Sequence, residues 1–153
     1  MTHAFPVRVY YEDTDLAGIV YYANYLKFIE RGRSEWIRAL GVDQAAMKRD
    51  HGIVFAVRRV EADYLRPARF DDELCVTTVP VSASGARIVL EQEVRRAGER
   101  LFAAAVTLVC LGDGGAPARL PADIRHKIAP ALRQARGIGP NDAVVMALPL
   151  NLV

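Results

Sequence analysis

Residues 10–38 read YYEDTDLAGIVYYANYLKFIERGRSEWIR: three acids crowd a turn that runs straight into an amphipathic segment. From Tyr22 onward, apolar side chains fall at Tyr22, Tyr25, Leu26, Ile29, Trp36, Ile37 and Leu40, the spacing of one helix face, and Gly41 supplies a stop. The pattern predicts a helix over Tyr21 to Leu40. Acids just before it are ordinary, because a helix start carries partial positive charge and unsatisfied N–H groups that Asp13 or Asp15 can cap. Upstream, Val7, Val9 and Tyr11 alternate with Arg8, Tyr10 and Glu12, the period of a strand with one buried face, ending near Glu12. Continued alternation would put Asp13 and Asp15 on the buried parity, an odd place for two carboxylates.

Downstream, after a short connection over Asp43 to Asp50, four strand-like segments follow without another long helix: Ile53 to Leu65, Glu73 to Ser82, Ala86 to Arg95 and Leu101 to Leu111. Between and after them stand RPARFDD, SASG, RAGE and GDGG, all compatible with hairpin or loop chemistry. The apolar parity of Ile53, Phe55 and Val57 flips to Val60, Ala62 and Tyr64, which places a bulge near Arg58 and Arg59. LFAAAVTLVC is apolar on both parities, the pattern of an inner strand covered on both faces; one helix covers one face, and the other then needs a second subunit. LPADIRHKI predicts a short helix with Pro121 in its first turn, ending before Pro130. A strand, one long helix and a four-strand run make the fold class α+β with an antiparallel sheet.

The 153 residues suit one domain, expected over 1–136, with a linker at Gly137, Gly139 and Pro140 and an apolar tail completing 137–153. A hydrophobic content of 52% and a net charge of only +2 describe a globular chain without a global field for nucleic acid. The N-terminus lacks a basic start followed by an apolar run, and AVVMALPLNLV is about half the length of a membrane span, so a cytoplasmic protein without membrane insertion is expected. Cys75 and Cys110, isolated and without CxxC spacing, are expected to be reduced, packed thiols. No clustered His/Cys/Asp spacing suggests a metal.

Residues 10–38 resemble the signature of hotdog-fold acyl-CoA thioesterases of the hydroxybenzoyl-CoA thioesterase group, most closely the Tol-Pal-associated acyl-CoA thioesterases. The similarity extends through VRRVEADYLRPARFDDEL and the later strands to about Cys110, roughly two thirds of the chain. It implies a five-stranded antiparallel sheet wrapped around the long helix, and homodimers that associate to homotetramers with the active site between subunits. It singles out Asp15, the second acid of EDTD, as catalytic. The thioester carbonyl would meet a backbone N–H near Tyr22, with Gly18, Val20 and Tyr21 around the substrate and Asp13 shaping the turn. Where many relatives carry His, this chain has Tyr22, whose hydroxyl is a poor proton acceptor at neutral pH but whose N–H is unaffected.

Thioester chemistry fits such a turn. A thiolate leaves without much help from a general acid, so one carboxylate suffices, attacking the carbonyl or activating water. A helix N-terminus favours the developing oxyanion. Arg58, Arg59, Arg66 and Arg69 are candidates for the phosphates of coenzyme A, although for any single one of them a solvated basic surface is the simpler reading. Glu30 and Arg33 lie on or beside the apolar stripe, read either as an ion pair tying helix to sheet or as support for Asp15. The substrate expected is a short- or medium-chain or aromatic acyl group on CoA or acyl-carrier protein, with no further cofactor. The competing reading is a non-catalytic acyl-carrier or envelope-complex interaction module on the same scaffold. A hotdog dehydratase would need a histidine paired with an acid, and His3, His51 and His126 lie outside the turn.

Overall fold

The computed structural model describes residues 2–136; the expected tail, 137–153, lies outside the described residues. Five strands form one antiparallel sheet: β1 (His3–Arg8), β2 (Val54–Tyr64), β3 (Glu73–Ser84), β4 (Arg87–Arg96) and β5 (Glu99–Leu111), in the order β1-β3-β4-β5-β2. Three helices accompany it: α1 (Asn24–Ala39), α2 (Gln44–His51) and α3 (Ala122–Arg136). Pro6 fits β1 because that strand is an edge, and Pro80 lies past the end of β1, where β3 has a neighbour on one side only. The expected bulge is present, the β2–β5 register shifting between Val57 and Arg59.

α1 packs against β1, β3 and β4 through Tyr25, Phe28, Ile29, Gly32, Trp36 and Ile37, all buried. They meet Val76, Leu90, Val94, Phe102, Val106 and Leu108 in a single core. Each full burial of such a side chain contributes roughly 1.5–3 kcal/mol. The core has a polar seam: Gln92, fully buried, donates through Nε2 to the Ile29 carbonyl (2.9 Å) and Thr78 Oγ1 (3.0 Å), joining α1 to β3 and β4. β5 is an inner strand with Phe102, Ala104, Val106, Leu108 and Cys110 buried, while Ala103, Ala105, Thr107 and Val109 on its other face are half-buried in the single chain.

Three boundaries differ from the sequence expectation by three residues or more, each for a local reason. β1 ends at Arg8, because Tyr11–Asp13 closes into a 3₁₀ turn in which Glu12 is exposed. α1 starts at Asn24, and Tyr21 to Ala23 form a turn leading into it. α3 runs through Pro130 to Arg136, since Ile124, Ile128 and Leu132 keep its apolar face on the core. Among the described residues no helix is long and apolar enough to cross a membrane.

Gly32 is where α1 approaches the sheet most tightly. A Cβ there would lie 2.9 Å from Val76 Cβ. Gly32→Ala therefore loses stability, by about 1–3 kcal/mol from overpacking, despite the roughly 1 kcal/mol that alanine gains in helix propensity; a lower urea midpoint checks this. Cys75 and Cys110 are buried free thiols, and burial pushes Cys110 up to about 11. Only about 10⁻⁴ of that thiol ionises at neutral pH, so a thiol reagent should label Cys110 slowly until pH approaches its pKa or denaturant opens the core.

Candidate active site

The acidic turn is built from local hydrogen bonds. Asp13 is 6% exposed, and its Oδ2 accepts the Tyr10 N–H at 2.8 Å. Its backbone carbonyl accepts two donors, the Tyr21 N–H and Asn24 Nδ2, each at 2.9 Å. Asp15 closes the next turn: Oδ1 accepts the Ala17 N–H at 2.9 Å, and its carbonyl accepts the Gly18 N–H at 3.0 Å. Gly18 takes a φ of +78°, in the left-handed region where a side chain would be strained. The Asp15 N–H donates to the Ile19 carbonyl at 2.9 Å, so the carboxylate is half-buried on a pinned loop.

Neither aspartate caps α1. The position before the helix is Ala23, which offers no side-chain hydrogen bond. The Tyr21 N–H is committed to Asp13, but among the described residues no acceptor satisfies the Tyr22 or Ala23 N–H. Helices ordinarily cover such donors with Ser, Thr, Asp or Asn. Here they stay open at the positive end of a 16-residue helix, the electrostatic arrangement that receives an anion.

The segment after β2 braces this turn. Val20, whose side chain is buried in the core, donates its N–H to the Ala68 carbonyl at 2.8 Å, and Ile19 bridges to Arg69. The Ala68 N–H donates to the Tyr25 hydroxyl at 3.0 Å; burial raises the pKa of that hydroxyl. Asp72 Oδ2 accepts from both the Arg69 N–H and Arg96 Nη1, each at 2.8 Å, tying the segment to β4. The Tyr22 ring is 62% exposed and meets the Tyr21 and Tyr64 rings edge-on, while the Tyr22 carbonyl accepts the Tyr64 hydroxyl at 2.9 Å.

Beyond the helix start, a cleft of about 510 Å³ runs between α1 and β2, lined by Leu26, Ile29, Val57 and Val60 with Lys27, Glu30 and Arg33. The direct Glu30–Arg33 ion pair does not form. Glu30 Oε1 instead accepts the Ser34 hydroxyl at 3.0 Å, and Arg33 Nη1 donates to Gln92 Oε1 at 3.0 Å. Gln92 faces Arg33 with its oxygen because its amide nitrogen is held by Ile29 and Thr78. Burial lowers the Arg33 pKa, and the nearby Glu30 charge opposes that shift.

The folded chain thus brings together Asp13, Asp15, Gly18, Val20, Tyr21 and Tyr22, with Arg66 and Arg69 on the bracing segment. Arg58 and Arg59 stand apart, on β2 five to six residues before Tyr64, roughly 17–20 Å along the strand. Arg59 pairs with Glu61, and Arg66 Nε lies 3.5 Å from Glu99. Sequence reasoning passed over Asn24, Tyr64, Gln92 and the Asp72–Arg96 pair. Asn24 and Gln92 carried a usable signal, a polar side chain on a buried parity; Tyr64 read only as a strand residue, since its partner is a backbone carbonyl.

Residues 17–103, more than half of the chain, match the sequence profile of the thioesterase superfamily, a match that starts two residues after Asp15. The acyl-CoA thioesterase YbgC of Haemophilus influenzae is 39% identical over 123 residues, 80% of this chain and 90% of that protein. The acyl-CoA thioester hydrolase YbgC of Escherichia coli O6:H1 is 41% identical over 107 residues, covering 69% and 79%. The crystal structure of a probable thioesterase from Bartonella henselae superposes with a TM-score of 0.76 at 38% identity, over 79% of this chain and all of that one. With a five-stranded hotdog sheet, an open helix start beside a pinned aspartate and these relatives, the chain is an enzyme of the thioesterase superfamily.

Proposed function

We propose that the protein hydrolyses acyl-CoA thioesters, with Asp15 as the catalytic carboxylate and the Tyr22 N–H as an oxyanion donor. The observation that carries this reading is the uncapped start of α1: a carboxylate sits one short turn away, yet leaves the helix donors open. The thioester oxygen meets those donors, and the acyl group extends into the apolar cleft between α1 and β2. As the carbonyl becomes tetrahedral its oxygen gains charge, which one such donor stabilises by roughly 3–4 kcal/mol relative to its absence. Asp15 either attacks the carbonyl carbon or takes a proton from attacking water, and the C–S bond then breaks to release a thiolate; in the first case the acyl group is left on Asp15 as a mixed anhydride, which water cleaves to the free acid and the regenerated carboxylate. No step in this scheme draws on a cofactor or metal.

The cleft volume suits a short- or medium-chain or a compact aromatic acyl group. CoA phosphates fit Arg66 and Arg69 near the turn within one chain, whereas Arg58 and Arg59 would serve an active site completed by another subunit. β2 supports such an assembly: it is an edge strand of 11 residues, unpaired on one side, with Val54, Val57, Val60 and Tyr64 exposed. The proposed form is a homodimer that doubles to a homotetramer in the cytoplasm, where Cys75 and Cys110 stay reduced.

Asp15→Asn keeps an oxygen for the Ala17 N–H and so preserves the turn. It should lower kcat about 10²–10⁴-fold in a thiol-release assay over acyl-CoA and acyl-carrier-protein esters. Undiminished hydrolysis in the variant overturns the mechanism. Binding of acyl-CoA or carrier protein by the native chain without turnover would instead favour the interaction-module reading. Light scattering should give the mass of a dimer or tetramer, and a stable monomer counts against the proposed assembly.

A further inference from the structure

We propose that Tyr64 is a positioning residue for the reaction: its hydroxyl, bonded to the Tyr22 carbonyl, holds the first peptide of the helix start in the orientation that presents its open N–H, that of Ala23, to the thioester oxygen beside the Tyr22 N–H. The inference rests on the thioesterase reading above and adds a residue to it.

The geometry is specific. The Tyr22 carbonyl stands outside the helical ladder: the Leu26 N–H, which an extra helical residue at position 22 would have engaged, donates at 3.2 Å to the Ala23 carbonyl instead. Its partner is a side chain 42 residues away, the Tyr64 hydroxyl at 2.9 Å. That carbonyl belongs to the same peptide unit as the Ala23 N–H, and the Tyr22 N–H belongs to the unit before. Fixing that peptide plane fixes where the Ala23 N–H points, while the preceding plane, which carries the Tyr22 N–H, is held through its own Tyr21 carbonyl, the acceptor of the Asn24 N–H at 2.8 Å. A hydrogen bond accepted by an amide oxygen also polarises the amide and strengthens its own N–H as a donor.

Tyr64 is itself held from three sides. Its backbone pairs with Phe102 in the β2–β5 ladder, and the following Leu65 N–H donates to the Leu101 carbonyl at 2.9 Å. Its ring meets Tyr25 edge-on at 5.5 Å and Phe102 edge-on at 5.0 Å, and those two rings stack on each other at 5.0 Å. Tyr25 and Phe102 are buried in the core, so the hydroxyl is delivered by rigid neighbours, although the residue as a whole is 49% exposed. Partial burial and the neighbouring tyrosines raise its pKa, keeping the donor protonated across the neutral range.

Tyr64→Phe removes the hydroxyl and leaves the ring contacts in place. The expected result is a fall in kcat of about tenfold, less than the loss of a direct oxyanion donor, with KM within about twofold and an unchanged melting temperature. In amide NMR spectra the Ala23 N–H resonance should move upfield, while amides of the β3–β4 turn stay in place. That shift reads the hydrogen bond whether or not the assay contains the best substrate, so it separates this inference from the thioesterase reading, which fails only if the native protein releases no thiol. Tyr64→Leu, which also removes the ring, is the control for packing and should lower the melting temperature as well as kcat. A native kcat in Tyr64→Phe, with loss confined to Tyr64→Leu, overturns the proposal. So does a rise in KM at unchanged kcat, which would make Tyr64 a substrate contact, or an unmoved Ala23 resonance.

Discussion

One backbone carbonyl organises the acidic turn and the helix start of this molecule. The Asp13 oxygen takes hydrogen bonds from the Tyr21 N–H and from the buried Asn24 amide, tying the acidic turn to the first residue of α1. The same residue spends its carboxylate on the Tyr10 N–H. With both of its oxygen functions committed locally, Asp13 can cap nothing farther along, and Asp15 is held in a turn of its own. The helix start stays bare because the Asp13 carboxylate turns back to the Tyr10 N–H and Asp15 turns one oxygen to the Ala17 N–H within its own loop. Buried polar groups of this kind cost stability unless every partner is present, and here each is paired.

A second polar tie sits deeper, where Gln92 links the Ile29 carbonyl, Thr78 and Arg33. It holds the middle of α1 at a fixed height above the sheet, and the close approach at Gly32 requires that height. Together the two ties set the helix at its start and its centre, so that the cleft between α1 and β2 has one wall of known position. Arg33 belongs to this framework. Its charge is steadied by a neutral amide and by Glu30 at longer range, in place of an intimate ion pair.

Much of this was legible in the chain itself. Alternation gave the strands, the Val57/Val60 parity break gave the bulge, and the helical spacing after Tyr22 gave α1 to within three residues at its start. Errors fell where a local rule met a tertiary contact. Alternation carried β1 too far because Tyr11, which reads as the next buried position after Val9, instead opens a 3₁₀ turn and lies exposed, and Pro130 did not stop α3 because the apolar face on either side of it stays on the core. The site divides in the same way. Asp13, Asp15 and Gly18 announce themselves as turn residues, whereas Tyr64 acts through a peptide carbonyl that carries no side-chain signature, and the Asp72–Arg96 brace joins segments far apart in sequence.

The open donors at the start of α1 belong to the main chain, and the walls of the neighbouring cleft are the side chains of Leu26, Ile29, Val57 and Val60. Substitution by any residue but proline alters a side chain and leaves the peptide N–H in place. The fold therefore separates what must be kept from what can drift: the shape of the cleft can be rewritten by exchanging its aliphatic residues, while the open donors beside it pass through those exchanges unaltered. Under the proposed mechanism, such a division makes a change of acyl group a matter of exchanging cleft side chains without rebuilding the chemistry.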